Sequence, residues 1–399
     1  MHLMESIKVL RALIFALLVG FGFYFTFINA AIAETLVIGS SKNAIKIDKI
    51  TVFDEPWALT FIHQDELLVS TKKGKLWLVQ KDGKKSLIEG IPEIAYGGQG
   101  GLGDILPHPK FSQNNLLYLS FVASKNNGRT RGAKVIRAKL ENGKLINHQL
   151  VWEQLPHTRG RGHFSHRLAF GPEGSSHEGM LFISSGDRQI MHPAQTFDNN
   201  LGKIIRLHDD GRIPVDNPYT GMGFPANTIW TLGHRNVLGL SFSPDNELWA
   251  NEMGPLHGDE LNLISKGENY GWPLVSEGNH YNGRHIPNHS TNDGFTPPVK
   301  YWVPTIAPSS LVFVPTTKDR NWSGNAVMTG LKSKAIFRLE IKNNQVIHQE
   351  KFYIGNRIRA LTIGHDFTLW AIEDGGAVSY THLRAHETKA NLVCRLLLE

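Results

Sequence analysis

The chain has 399 residues, with 42 Lys and Arg against 36 Asp and Glu, 41% apolar residues and a single cysteine. That balance excludes a disordered or collagenous chain and suits a globular protein long enough to bury one large core or two ordinary ones. The lone Cys394 excludes intrachain disulfides and cysteine-rich metal modules, and a net charge of +6, scattered rather than striped, leaves no footprint for nucleic acid.

Lys8 and Arg11 precede an apolar run from Ala12 to Ile28, and the small residues of Ala31-Ile32-Ala33 follow it. This pattern predicts a signal peptide over residues 1–33 and a mature chain that begins near Glu34 in the periplasm or outside the cell. The competing reading is an uncleaved anchor, because the run approaches the roughly 20 residues that span a bilayer. No later segment is long and apolar enough to cross a membrane.

From there a short phrase returns six times, as Leu59 to His63, Ile105 to Pro109, Leu168 to Pro172, Leu240 to Pro244, Leu311 to Pro315 and Leu361 to His365. Alternating apolar residues that close on a turn former mean a strand. A second apolar run follows each copy, and in five copies a third strand is expected near Leu76–Val79, Val135–Ala138, Ile204–Leu207, Leu261–Ile264 and Ile336–Leu339. The lysines of Lys72-Lys73-Gly74-Lys75 lie within the first copy and read as a solvated hairpin face. Six such units predict an all-β, six-bladed β-propeller over residues 34–376, rather than a pair of sandwiches. Residues 377–399 read as an atypical tail, foreign to the pattern and without a convincing third strand. A ring sealed by pairing between its ends would then lack a closing strand.

Several turns hold more polar chemistry than a turn requires. Gly97 to Asp104 contains five glycines and Gln99, which suits either close approach to a ligand or a tight bend between blades. His163 and His166 stand just before one strand and Asp187 just after the next, an arrangement that would suit a base and its orienting carboxylate, although 19 histidines dilute any single one. The two histidines have no nearby third ligand that would suit zinc. Gly233-His234-Arg235-Asn236 opens the fourth unit, and the carbonyls of Gly254-Pro255, beside Asp259 and Glu260, suit a hard cation such as calcium. Lys332, Arg357 and Arg359 in the last two units would favour a polyanionic ligand if they share one channel, although scattered surface charge is the commoner arrangement.

Together these phrases resemble the soluble quinoprotein aldose sugar dehydrogenases of the glucose/sorbosone dehydrogenase family, which use pyrroloquinoline quinone (PQQ). The likeness runs from about Trp57 to Asp374. Its most specific stretches are Gly98 to Leu102, Leu232 to Asn236, and Gly254-Pro255 through Asp259-Glu260 to Asn269-Tyr270-Gly271-Trp272-Pro273. The resemblance implies that His163 is the general base for the anomeric hydroxyl of an aldose, oriented by Asp187. By the same likeness Arg235 stabilises charge on the quinone and Asn236 contacts the same edge. Gln99, Lys332, Arg357 and Arg359 hold the cofactor, and the Gly254 and Pro255 carbonyls ligate calcium. Electrons would pass on to an unidentified acceptor. Gln195 is a looser match for a cofactor or substrate contact, and His166 stands where a small residue is expected, so it would crowd the sugar. The absence of long late insertions favours broad aldose specificity. Two other readings compete: a calcium-dependent propeller lactonase, which needs converging side-chain ligands, and a non-catalytic propeller that binds glycan or protein and needs no base.

Overall fold

The repeated phrases become strands in the computed structural model, which describes residues 35–386 except 81, 319–321 and 375–376. The expected signal peptide and the end of the tail, Cys394 included, lie outside these residues. The described chain opens with β1 (Thr35–Ile38) and β2 (Ala44–Asp54). Five antiparallel sheets of four strands follow in chain order. The first holds β3 (Pro56–His63), β4 (Glu66–Thr71), β5 (Lys75–Gln80) and β6 (Lys85–Ile88). The second holds β7 (Leu102–Pro107), β8 (Leu116–Lys125), β9 (Thr130–Glu141) and β10 (Lys144–Glu153). The third holds β11 (Ser165–Phe170), β12 (Met180–Ser185), β13 (Lys203–His208) and β14 (Ile229–Leu232). The fourth holds β15 (Val237–Phe242), β16 (Leu248–Glu252), β17 (Asp259–Leu263) and β18 (Lys300–Trp302). The fifth holds β19 (Pro308–Phe313), β20 (Ala326–Gly330), β21 (Ala335–Lys342) and β22 (Gln345–Tyr353). The chain then adds β23 (Ile358–Ile363), β24 (Leu369–Glu373) and β25 (Ala377–His386).

The propeller expectation holds, but with five regular four-stranded blades rather than six. The remaining sheet has five strands in the order β1-β2-β25-β24-β23, so it is a composite of both ends of the described chain. The physical reason is closure, because a propeller built from contiguous units alone would leave a free strand edge at the seam. The expectation for the tail is corrected at the same place. Ala377–His386 supplies a strand that pairs with β2, from Asp54↔Ala377 to Ala44↔His386, and also with β24. Each third strand expected from the sequence is present. The unpredicted fourth strands include β6, β14 and β18, which at three or four residues are too short to show a pattern.

The first strand of each sheet packs against that of the next, so β3, β7, β11, β15, β19 and β23 surround a common axis. Apolar side chains fill the spaces between neighbouring sheets, as where Leu68 and Leu76 of the first blade meet Leu117 and Leu119 of the second. At the composite sheet a polar latch joins the β1–β2 turn to the fifth blade. The buried Glu350 carboxylate accepts from Asn43 Nδ2 at 2.8 Å and Arg338 Nη2 at 3.0 Å, and from the Ser41 and Asn43 amides at 3.3 Å each. Glu350→Ala is therefore expected to cost about 3 kcal/mol in urea unfolding, because it removes a buried carboxylate and leaves the half-buried Arg338 guanidinium and Asn43 without their common acceptor. A loss under about 1 kcal/mol, the scale of an exposed pair, would show that the latch carries little.

Candidate functional site

The site begins at the turn that leads into β11. Six non-glycine residues around it, His163, Ser165, His166, Arg188, Gln189 and Met191, have positive φ, between 48° and 68°. Such strain persists only where the surroundings over-determine it. Arg188 supplies part of that constraint, with its guanidinium 3.6 Å from the Phe164 ring centroid while it donates to the Gly162 and Gly160 carbonyls. Burial pulls its pKa down to about 10, so it remains cationic at neutral pH. Gln99 Oε1 accepts the His163 amide at 2.7 Å.

His163 Nδ1 lies 2.7 Å from Asp187 Oδ1. Asp187 is fully buried, and its remaining capacity is taken by the Gln189 amide at 2.8 Å and Trp272 Nε1 at 2.8 Å. Burial pushes the Asp187 pKa up, but the bond to His163, that residue's charge, Arg235 and the Gln189 amide outweigh it and hold the group below the usual carboxylate value. An ionised Asp187 can only accept, so it fixes the proton on His163 Nδ1 and leaves the Nε2 lone pair as the base. Burial also lowers the His163 pKa, helped by Arg235 and against the pull of Asp187. The imidazole is therefore neutral at pH 7.

His163, Asp187, Gln189, Met191, Arg235, Pro255, Trp272, His280, Tyr281 and Asn282 line a cavity of about 330 Å³. Arg235 is fixed at several points. Its amide donates to Glu252 Oε2 at 2.7 Å, Nη1 donates to the Met253 carbonyl at 2.9 Å and Nη2 to Tyr281 Oη at 3.2 Å. Glu252 also faces His234 Nδ1 at 3.0 Å, so one buried carboxylate organises the turn that presents Arg235.

A second cavity, of about 360 Å³, is lined by the neighbours of these residues. Phe164 and Asn236 face it where His163 and Arg235 face the first, and Lys72, Gln99, Arg357, Arg359 and Asp374 join them. Asn236 Oδ1 accepts from Ser165 Oγ at 3.1 Å. Arg359 Nη2 and Arg357 Nε donate to opposite oxygens of Asp374, at 2.6 and 2.8 Å. Lys72, expected on a solvated hairpin face, instead reaches the Gly98 carbonyl at 2.9 Å and joins the cavity wall. The glycines of this segment serve the bend itself, since a Cβ on Gly101 would stand 2.2 Å from the Lys72 carbonyl oxygen.

Three expectations need correction. Lys332 is exposed and outside both cavity walls, where its neighbour Leu331 lines the second cavity instead. Gln195 contacts neither cavity, because its amide is spent on Asn269 and on the Trp272 carbonyl at 2.7 Å, which positions Trp272 beneath Asp187. His166 does not crowd the first cavity. It lines the second, bonded to Ser120 Oγ at 2.7 Å and stacked on Trp57 at 5.9 Å. Asp259, beside the Gly254-Pro255 turn, accepts from the Gly254, Ile306 and Ala307 amides and the Thr305 hydroxyl. Among the described residues no three His, Cys, Asp or Glu side chains converge on a cation site. The Gly254 and Pro255 carbonyl oxygens, by contrast, accept no hydrogen bond from any described residue, and Pro255 borders the first cavity.

Sequence reasoning missed Trp272, Asp374, Arg188, Lys72 and Glu252 as site residues. Trp272 lay within a phrase already singled out, and Arg188 and Asp374 each adjoin the end of a strand.

Burial, with help from Arg167 and Arg188, holds the His166 pKa down at about 3. The folded state resists its protonation while the unfolded chain accepts a proton near pH 6.5, so this contribution is complete above 6.5 and is lost as pH falls towards 3. Stability should drop by about 1.4 kcal/mol per pH unit on this account. His166→Asn should flatten the fall measured by urea unfolding between pH 6.5 and 5, and an unchanged slope would refute the assignment.

A model of the glucose/sorbosone dehydrogenase family matches residues 53–381. The chain is 33% identical over 331 residues to an aldose sugar dehydrogenase of Escherichia coli strain K12, an alignment that covers 80% of this chain and 87% of that one. The solved apo form of the soluble aldose sugar dehydrogenase from Escherichia coli superposes with a TM-score of 0.80 at 30% identity, covering 86% of this chain and 100% of the other. The PQQ-bound aldose sugar dehydrogenase of Streptomyces coelicolor gives a TM-score of 0.70 at 25% identity, with 87% and 99% coverage.

Proposed function

The chain belongs to the glucose/sorbosone dehydrogenase family, and from that premise we propose that it is an exported, PQQ- and calcium-dependent enzyme that oxidises aldoses at C1 to lactones. The observation that carries this reading is the His163–Asp187 dyad, which opens onto one cavity while adjoining residues line a second that sets Lys72, Arg357 and Arg359 against Glu55 and Asp374. Family membership alone would leave the site open, because function belongs to the residues rather than the fold.

The residues fit the cofactor. PQQ is planar and carries three carboxylates, and the second cavity offers Arg357, Arg359 and Lys72 with the Asn236 and Gln99 side chains. Gln99 Nε2 has no partner among the described residues, so it is available to such a ligand. When bound, PQQ supplies an acceptor for the hydride from the sugar's anomeric carbon. The unengaged carbonyls of Gly254 and Pro255 would hold a calcium ion, which supplies Lewis acidity there.

The chain's own part is proton and charge management. His163 Nε2 takes the anomeric hydroxyl proton, and Asp187 holds the ring in the required tautomer and stabilises the imidazolium that forms. Arg235 offers a preorganised positive charge, whose value rises where water is excluded. Trp272 supports both groups, bonded to Asp187 and with its ring 5.3 Å from the Arg235 guanidinium. A lactonase has no clear use for the Arg357 and Arg359 pair, and it would need the side-chain ligand cluster that the described residues do not form. Export rests on the leader pattern of residues 1–33.

Reconstitution tests the reading. The protein from Glu34 onward, given PQQ and calcium, should bind PQQ stoichiometrically, change its absorbance on addition of an aldose and turn over with an artificial electron acceptor. Failure of the folded protein to bind PQQ would sink it.

A further inference from the structure

We propose that Tyr281 is a sugar-contacting wall of the aldose site, its ring serving as a platform for the sugar and its hydroxyl as a clamp on Arg235. The inference rests on the sugar-oxidising reading above and goes beyond it by assigning a residue that neither the repeats nor the motifs marked.

Tyr281 is 71% exposed, yet it is held in place. It sits in a tight turn where the His280 amide donates to the Arg284 carbonyl at 3.0 Å and the Gly283 amide to the His280 carbonyl at 2.9 Å. The base of the turn is pinned by Asn279. Its carbonyl accepts from the Leu256 amide at 2.9 Å, and its side chain faces His285 Nδ1 at 3.0 Å and accepts from the Ile286 amide at 3.2 Å. This arrangement projects His280, Tyr281 and Asn282 into the wall of the cavity that contains His163.

A large aromatic ring presented to water at a cavity mouth gains little from burial in the free protein, so its packing value is realised when a ligand covers it. A pyranose suits this role, since one face of the ring presents C–H groups and its rim presents hydroxyls. The opposite end of the side chain is already used. Tyr281 Oη accepts from Arg235 Nη2 at 3.2 Å, and the Arg235 guanidinium lies 5.3 and 5.8 Å from the Trp272 and Tyr281 ring centroids. One residue therefore couples sugar contact to the placement of the charge-stabilising arginine.

Two variants separate the functions. Tyr281→Ala removes both, and Tyr281→Phe keeps the platform but releases Arg235 Nη2. PQQ loading is read by absorbance in each, and kcat and KM are measured with glucose and xylose. We expect loading to be unchanged in both variants. Tyr281→Ala should raise KM about tenfold, the scale of an aromatic contact, while Tyr281→Phe should keep KM near wild type and lower kcat about fivefold. A KM for Tyr281→Ala within twofold of wild type on both sugars overturns the platform, and an unchanged kcat for Tyr281→Phe overturns the clamp. A wild-type protein that loads PQQ but is reduced by no aldose refutes the underlying reading instead, independently of Tyr281.

Discussion

Replacing His163 by alanine should lower kcat about a thousandfold, within the range removed with a positioned general base, and leave PQQ affinity nearly unchanged. The geometry separates these two outcomes. The imidazole faces the cavity shared with Arg235 and Tyr281, whereas the cations Lys72, Arg357 and Arg359 line the other. Only the His163 amide is tied to that second group, through Gln99, and alanine keeps the amide. Asp187→Asn should fall nearly as far. An asparagine in that place, between Trp272 Nε1, the Gln189 amide and His163, can present an N–H to Nδ1 and so favour the tautomer with no lone pair at Nε2. Steady-state kinetics on PQQ-loaded protein, with loading read by absorbance, checks both. A loss below tenfold in His163→Ala would remove the residue from the chemical step. Equal loss of cofactor and turnover would make it a binding residue.

Much of this arrangement was legible in the sequence, for an identifiable reason. Strand ends are local, so His163 before β11 and Asp187 after β12 are brought together by a simple hairpin, and antiparallel pairing of Ser165 with Ser185 leaves little else possible. The third strands were legible because their apolar alternation is strong. The closing strand was not, since β25 depends on β2, more than 300 residues away, rather than on its own pattern. Trp272 was equally hidden as a site residue, because it reaches Asp187 only after the Asn269–Pro273 loop is anchored by Gln195. The same anchoring explains why Gln195 looked functional but contacts no cavity. Lys72 and Lys332 exchanged roles for a related reason: charge type is visible in a sequence, whereas the side of a turn on which a lysine lies is decided by packing.

The three cations expected to hold the cofactor should contribute unequally, in the order Arg359, Arg357, Lys332. Arg359 is almost wholly buried, its side chain 10% exposed and its guanidinium 4.6 Å from the Trp57 ring centroid, whereas the Arg357 side chain is 46% exposed. A charge about 6 Å from a cofactor carboxylate contributes about 3 kcal/mol at an effective dielectric of about 20, and solvent reduces this sharply for an exposed group. Asp374 amplifies the difference. Burial pushes its pKa up, but Arg359 and Arg357 overcome that and keep it ionised below the usual carboxylate range. Arg359→Ala thus removes a cation and also leaves a buried anion beside the ligand with only the half-exposed Arg357 to balance it. Titration of PQQ into apoprotein should show affinity losses of about a hundredfold or more for Arg359→Ala, about tenfold for Arg357→Ala and under threefold for Lys332→Ala. Raising the salt should shrink the Arg357 effect more than that of Arg359, because only the former is well screened. Equal losses in the three variants, or the largest in Lys332→Ala, would mean that the polyanion lies somewhere other than the cavity bordered by Asp374.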